Sequence, residues 1–468
     1  MQRRRLSWLV IGSLLLVAGA TMVPPAGAAG SLGAKGGALW VARYRGPHYC
    51  IRDPRSMAVS PDNSIVYVTG GSCTNLNIDH YATFAYDAST GAEIWYQRFD
   101  GQAPGQDGGQ SVAVSPDGSR VFVTGFSTDK GGYWRFATLA YDAHIGTPLW
   151  LSRYRGAGTY GSVPYSIVVS PDGERVFVTG YSEDDYATVA IDAATGSRLW
   201  VARYNGSGDF VDSACCIGVS PDGTKVFVTG TGSEEGRNND YTTLAYNAAS
   251  GTEEWIAHYD GTDQKDDEPS ALAVSPDGSE VFITGYSDGI GTFEDYATVA
   301  YDTATGTESW VSRYTGPGFN QDQGHALSVS PDGHTVFVTG SSFEADSGSD
   351  YATVAYDAAT GSPRWTHRLN TPGNGADEAR AIAVNPDGST VYVTGYGGPW
   401  TYGDYLTVAY EALSGRVEGV RRFNGLGNGF DEPEAMAVSP DGSRVFVTGL
   451  ADDGSGAGLD YGTMAYGV

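Results

Sequence analysis

Apolar and polar residues alternate along this chain in short bursts that never settle into a helical stride. From Ser111 to Tyr154 four bursts follow one another. Ser111-Val-Ala-Val-Ser115 alternates with period two and runs into Pro116-Asp-Gly118, which turns the chain. Val121-Phe-Val-Thr-Gly125 follows, rich in β-branched and aromatic residues. After a variable loop come Phe136-Ala-Thr-Leu-Ala-Tyr-Asp142, a turn at Gly146, and Leu149-Trp-Leu-Ser-Arg-Tyr154. Each burst has the length and composition of a strand, and no stretch beyond the first residues sustains an apolar period of 3.6. The pattern predicts an all-β chain.

The four-strand unit recurs. Its Ser-Pro-Asp-Gly turn, or a close variant, begins at Ser60, Ser115, Ser170, Ser220, Ser275, Ser330, Asn385 and Ser439, in steps of 50 to 55 residues. A period of this size filled with short strands indicates a propeller, solenoid or array. The first three strand types occur eight times each, but the fourth follows only seven of the third strands, because the chain stops at Val468. The eighth copy stands at the other end, as Gly37-Ala-Leu-Trp40-Val-Ala-Arg43-Tyr44. An N-terminal strand that completes the last unit closes a ring and removes open sheet edges. The expectation is a single eight-bladed β-propeller over residues 29–468, with the N-terminal strand outermost in the last blade.

Within each unit a second pattern carries a resemblance. Ala85-Tyr-Asp87-Ala-Ser-Thr90-Gly91-Ala-Glu-Ile-Trp95 resembles the tryptophan-docking motif of pyrroloquinoline quinone dehydrogenases and related propeller repeats. Full matches recur at Ala190–Trp200, Ala300–Trp310 and Ala355–Trp365, and degenerate ones at Ala140–Trp150, Ala245–Trp255 and Ala409–Gly419, the last without its Trp. The preceding Ser-Pro-Asp-Gly-x-x-Val-Phe-Val-Thr-Gly is similar to the YVTN-type bacterial repeat. The Asp, Thr and Gly suit a tight turn, and the Trp can fill the gap between blades, contributing about 2–3 kcal/mol of apolar burial.

Residues 1–28 carry Arg3, Arg4 and Arg5, an apolar run from Leu9 to about Val23, and Ala26-Gly27-Ala28. They are expected to be a secretory signal with its cleavage site, which makes the protein secreted or extracytoplasmic. No second apolar run is long enough to cross a bilayer. The net charge of −27 falls to −30 once the three leader arginines are removed. Such a surface repels phosphate backbones and anionic lipid, so neither nucleic acid nor membrane insertion is expected, while cations and basic partners remain compatible. A monomer is expected. Of the four cysteines, Cys50 and Cys73 flank the first two strands of blade 1, whose loops share one face, and a disulfide between them is expected in an exported protein. Cys215 and Cys216 are adjacent, and either a vicinal disulfide or two reduced thiols fits them.

Three sets of residues are candidates for function. Eight residues before the Ser of each turn stand Asp107, Asp212, Asp267, Asp322, Asp377 and Asp431, with Arg52 and Ser162 in the other two blades. A ring of carboxylates could bind Ca2+, or each Asp could hold its own loop through backbone hydrogen bonds. Five residues before that Ser the units diverge: Arg55, Gln110, Tyr165, Cys215, Ser270, His325, Arg380 and Glu434. Divergence inside near-identical units marks where a repeat protein specialises. Arg55, His325, Arg380 and Glu434 fall in consecutive blades of the ring, as a ligand-binding cluster or as a salt-bridged plug. Trp134 and Trp400, in loops between second and third strands, could stack a sugar or peptide or pack their loops.

No catalytic residue is assigned. Gly285-Tyr-Ser287-Asp-Gly289 fits G-x-S-x-G, but no strand-to-helix turn is available to make it a nucleophile elbow. The histidines lack zinc spacing. The leading expectation is a secreted, non-catalytic binding propeller for a small molecule, glycan or protein, needing no cofactor beyond an optional Ca2+. The resemblance implies a quinone-dependent dehydrogenase as the alternative, whose vicinal disulfide over pyrroloquinoline quinone would correspond to Cys215-Cys216. The surrounding Ala214-Cys-Cys-Ile-Gly departs from that family's pattern. A lactonase or lyase using His325, Arg380 and Glu434 at the channel mouth is a third possibility.

Overall fold

The computed structural model describes residues 37–44, 53–75, 78–156, 158, 161–208, 211–233, 238–262, 265–318, 320–372, 374–398, 403–427, 429–452, 454 and 459–468. The expected leader and Cys50 lie outside these residues, and the Cys50–Cys73 pairing with them. Every regular element described is a strand, and the strands form eight four-stranded antiparallel sheets. Seven sheets take their strands in chain order. In the eighth the order is Glu432–Val438, Arg444–Asp452, Leu459–Gly467 and then the N-terminal Trp40–Tyr44. Trp40 lies opposite Ala465 and Tyr44 opposite Tyr461. The ring is an eight-bladed propeller closed as strand counting predicts.

The core is not central but lies between blades. Eight clusters of buried side chains each join two neighbours; one unites Trp40, Phe446, Tyr461 and Ala465 of blade 8 with Met57, Val66, Val68 and Phe84 of blade 1. Two repeated hydrogen bonds stitch these seams. The indole Nε1 of Trp40 donates to the carbonyl of Ala88 at 3.0 Å, and Trp95, Trp150, Trp200, Trp255, Trp310 and Trp365 do the same to the next blade. The indole lies flat on the turn glycine of that blade: a Cβ on Gly91 would come within 2.5 Å of the Trp40 ring, and Gly91 has a φ of +72°. Asp, Thr and Gly therefore build the turn, and the same Gly receives the preceding blade's Trp. Deeper in, Tyr81, Tyr186, Tyr241, Tyr296, Tyr351 and Tyr405 donate to main-chain carbonyls of the next blade. Tyr461 donates across the closure as well, but to the second strand of blade 1, at the Gly71 carbonyl, 2.7 Å away.

Inner strands begin earlier than alternation suggests. That of blade 2 spans Asp107–Val114, starting four residues before Ser111. Its register shifts between Gly109 and Ser111, leaving Gln110 as the extra residue of a β-bulge, and an equivalent shift occurs in all eight blades. The bulge breaks the two-residue period, so the pattern loses the strand on its far side. It also accounts for the Gly that ends each Val-x-Val-Thr-Gly. A Cβ on Gly395 would collide with the carbonyl oxygen of Glu378 and sit 2.7 Å from Cα of Ala379.

Candidate functional site

The bulged residue of each inner strand is the one at which the units diverge: Arg55, Gln110, Tyr165, Cys215, Ser270, His325, Arg380 and Glu434. Bulges re-aim side chains and release them from ladder pairing, so this position can change without disturbing the sheet. Two residues earlier is a second divergent position: Asp53, Gly108, Val163, Ser213, Glu268, Gln323, Glu378 and Glu432. Sequence reasoning missed it, although the same signal marked it. Its acids are concentrated in the blades that carry the charged bulge residues.

Together the two positions make one cluster across blades 6, 7, 8 and 1. Glu378 is its hinge. Its Oε1 lies 3.1 Å from Nε2 of His325 and 2.9 Å from an Arg380 guanidinium nitrogen, and its Oε2 accepts the Tyr396 hydroxyl at 2.6 Å. Arg380 turns its other terminal nitrogen to Glu432 at 2.7 Å and lies over the Tyr396 ring, 5.6 Å from its centroid. Arg55 is ion-paired with Asp53 of its own strand. The structure thus brings Arg55, His325, Arg380 and Glu434 to one side of the mouth, but Glu434 is not clamped between the arginines. Arg380 is committed to Glu378 and Glu432, and Arg55 to Asp53.

The electrostatics follow from those commitments. Burial works against charge on Glu378, but the hydrogen bond from His325 and the Arg380 guanidinium outweigh it and hold the carboxyl down to about 2. Glu434 has the opposite balance. Burial and the neighbouring Glu432 and Asp53 exceed the pull of Arg380 and Arg55, and its carboxyl is pushed up to about 8. One mouth therefore offers a fixed carboxylate, two anchored guanidiniums and a carboxylic acid that keeps its proton at neutral pH.

The repeated Asp has a local task. Asp107 accepts the N–H of Gly101 at 2.7 Å on one oxygen and that of Thr128 at 2.8 Å on the other, pinning the incoming loop to the end of its own second strand. Asp212, Asp322, Asp377 and Asp431 make the same two-ended grip, and Asp267 makes its first half, to Gly261. This grip gives a physical reason for the residue in each blade. Cys215, the bulge of blade 4, is joined to Cys216 in a vicinal disulfide. Trp134 opens the third strand of blade 2 and packs on Phe126, ring centroids 5.0 Å apart, which suits loop packing. Trp400 lies outside the described residues.

Known proteins resemble the chain at two levels. The sequence profile of the family described as outer membrane protein assembly factor BamB matches residues 30–159, 135–298 and 294–458, which together span most of the chain. The chain belongs to the BamB-like repeat family. No curated protein sequence matches it. Among solved structures, this BamB-type propeller is similar to Sqt1 of Chaetomium thermophilum bound to the N-terminus of the ribosomal protein L10, with 12% identity, a TM-score of 0.61, and coverage of 93% of this chain and 100% of that one. BamB of Moraxella catarrhalis superimposes with a TM-score of 0.50 at 14% identity over 93% and 100% of the two chains. The quinohemoprotein alcohol dehydrogenase ADHIIG of Pseudomonas putida HK5 gives 0.53 at 14% over 92% and 76%. Likeness at these identities establishes the fold. No helix among the described residues is long and apolar enough to cross a membrane.

Proposed function

We propose that this chain is a non-catalytic binding propeller, acting outside the cytoplasm, that takes a basic peptide segment at the mouth formed by blades 6, 7, 8 and 1. One observation carries the reading: three consecutive blades, 7, 8 and 1, deliver Glu378, Glu432, Glu434 and Asp53 to one place, where Arg55 and Arg380 are already paired. The acid left over, Glu434, is the group an incoming ammonium or guanidinium would engage. The strongly negative chain steers cationic partners towards it. Sqt1, of the same fold, is a propeller that binds the terminus of another protein.

A cation at Glu434 must displace the proton held there, so binding should tighten as pH rises through about 8. Fluorescence anisotropy with Lys- and Arg-rich peptides, from pH 6 to 9, tests this. The parent should gain affinity with pH, and Glu434→Gln should bind weakly with a flat profile. Equal binding of acidic peptides, or an unchanged profile in the variant, would remove the mouth as the site.

The vicinal disulfide favours a second reading, a quinone-dependent dehydrogenase. Against a quinone fit, no Trp stands at any of the sixteen inner-strand-end positions to form a floor beneath a planar cofactor. Dye-linked oxidation of alcohols or sugars after incubation with pyrroloquinoline quinone and Ca2+ would establish that reading in place of the first.

A further inference from the structure

The mouth has two unlike sides. Inner strands neighbour one another in chain order round the ring, so blades 2, 3 and 4 stand opposite blades 6, 7 and 8. Each of blades 5, 6, 7, 8 and 1 places an acidic or basic side chain at one or both of the divergent inner positions, from Glu268 round to Arg55. Blades 2, 3 and 4 place none. Their bulge residues are Gln110, Tyr165 and the disulfide-bonded Cys215. Across the ladder Phe126 pairs with Gly108, Tyr181 with Val163 and Thr231 with Ser213. Three adjacent blades of a strongly acidic chain therefore hold no carboxylate, guanidinium or ammonium at these positions.

Aromatic rings stand there instead. Phe126, Tyr165 and Tyr181 each lie partly exposed between buried strand neighbours. Tyr165 and Tyr181 stack, with ring centroids 6.2 Å apart and planes 29° from parallel. The Tyr165 hydroxyl bonds Ser213 of blade 4, which anchors the ring at its far end. The Phe126 ring reaches over Gly108, where a Cβ would stand 3.0 Å from its Cζ. Trp134 packs 5.0 Å from Phe126. It also lies, like the Tyr181 hydroxyl, within 4 Å of the place a Cβ would take on Gly161, so the rings of blades 2 and 3 are joined across their seam.

The same ladder position carries tyrosine in blades 5 and 7, where an inner-strand glutamate takes the hydroxyl: Glu268 that of Tyr286 at 2.7 Å, and Glu378 that of Tyr396 at 2.6 Å. Tyr181 instead stands opposite Val163, which offers no acceptor side chain, and Phe126 stands opposite a glycine. These rings belong to no ion-pair network. What they offer is apolar area and stacking geometry.

We propose that Phe126, Tyr165 and Tyr181 form an aromatic subsite of the mouth, and that the basic peptide segment carries an aromatic side chain that packs there while its Lys or Arg engages Glu434. The inference rests on the cation reading given above for the opposite side. Successive side chains of an extended segment point to opposite sides, so an aromatic residue next to the cation reaches the opposite wall. Any acidic mouth attracts a cation, whereas the rings select among basic segments.

Fluorescence anisotropy compares two peptides of equal charge, one with Lys-Phe at its centre and one with Lys-Ser. The tyrosines are replaced by residues that other blades carry at the same places, Tyr165→Ser after blade 5 and Tyr181→Thr after blade 4. The parent should bind the Phe peptide about tenfold tighter than the Ser peptide, a ratio that needs no variant to measure. Each tyrosine variant should lose most of that gain and keep its affinity for the Ser peptide, which reports a folded ring and an intact charged side, within about twofold. Glu434→Gln should weaken both peptides and preserve their ratio. A parent that binds both peptides equally overturns the subsite and leaves the cation reading standing, and so does a ratio that survives both tyrosine variants. A parent that binds neither peptide overturns both readings. Release of the Phe peptide alone by a neutral glucan oligosaccharide would assign the rings to a glycan and overturn the peptide subsite.

Discussion

Trp40→Ala isolates the closure of the ring. Trp40 is 8% exposed, its indole donates to Ala88 at 3.0 Å, it packs 5.9 Å from Phe446, and it covers Gly91 of blade 1. Truncating a buried Trp costs about 3–5 kcal/mol, the lost contacts and the orphaned carbonyl included. A ring of roughly 430 residues with an unfolding entropy of about 2.1 cal/mol/K per residue has about 0.9 kcal/mol/K in total, so that cost lowers the melting temperature by about 3–6 °C. The control is Trp255→Ala, equally buried and bonded to Thr303 at 3.0 Å, at a seam the chain itself crosses. Differential scanning calorimetry of both variants should show matching drops, because the noncovalent seam is built from the same contacts as the connected ones. A Trp40→Ala protein melting within about a degree of the parent, while Trp255→Ala falls, would refute the claim that the N-terminal strand closes a cooperative ring.

Other outcomes follow from the mouth and the bulges. Glu434 binds its proton more tightly folded than unfolded, so stability should fall as pH rises from about 5 to 8, by at most about 1.4 kcal/mol per unit; Glu434→Gln should flatten that slope in urea titrations and leave stability near pH 5 unchanged. Glu378 works in the other direction: held down to about 2, it should make Glu378→Gln lose more stability at pH 6 than at pH 3. Gly395→Ala should cost about 3 kcal/mol or more, or abolish soluble expression, whereas Gly71→Ala, with nothing within 4 Å of the new Cβ, should stay within about 0.5 kcal/mol of the parent by thermal melting. Peptide mapping without reductant should recover residues 215 and 216 on one peptide that takes up alkylating reagent only after reduction.

The blade count and the closure were legible because both rest on local composition: Gly37–Tyr44 reads as a fourth strand wherever it stands. The seam was partly legible, since Trp95 and Gly91 sit in one motif, but the motif does not say that the Trp of one blade lies on the Gly of the next. At the mouth, divergence picked out Arg55, His325, Arg380 and Glu434 and passed over Asp53, Glu378 and Glu432. These acids lie beyond the bulge, where alternation stops, and so read as loop. Beside them Glu434 is not one half of a salt bridge in the plug, because burial and the charges of Glu432 and Asp53 push its carboxyl up to about 8.

The bulge also separates two demands that most sheets impose on the same residue. Elsewhere on an inner strand a side chain must fit the neighbouring blade, so changing it risks the fold. The bulged residue has no partner across the ladder, and the glycine opposite keeps the room it needs. Eight such residues, at the same place in eight inner strands, act as slots on a fixed frame. A library randomised at positions 110, 165 and 270, outside the ion-paired cluster of His325, Arg380 and Glu378, would vary part of the recognition surface of this propeller with the least effect on its folding.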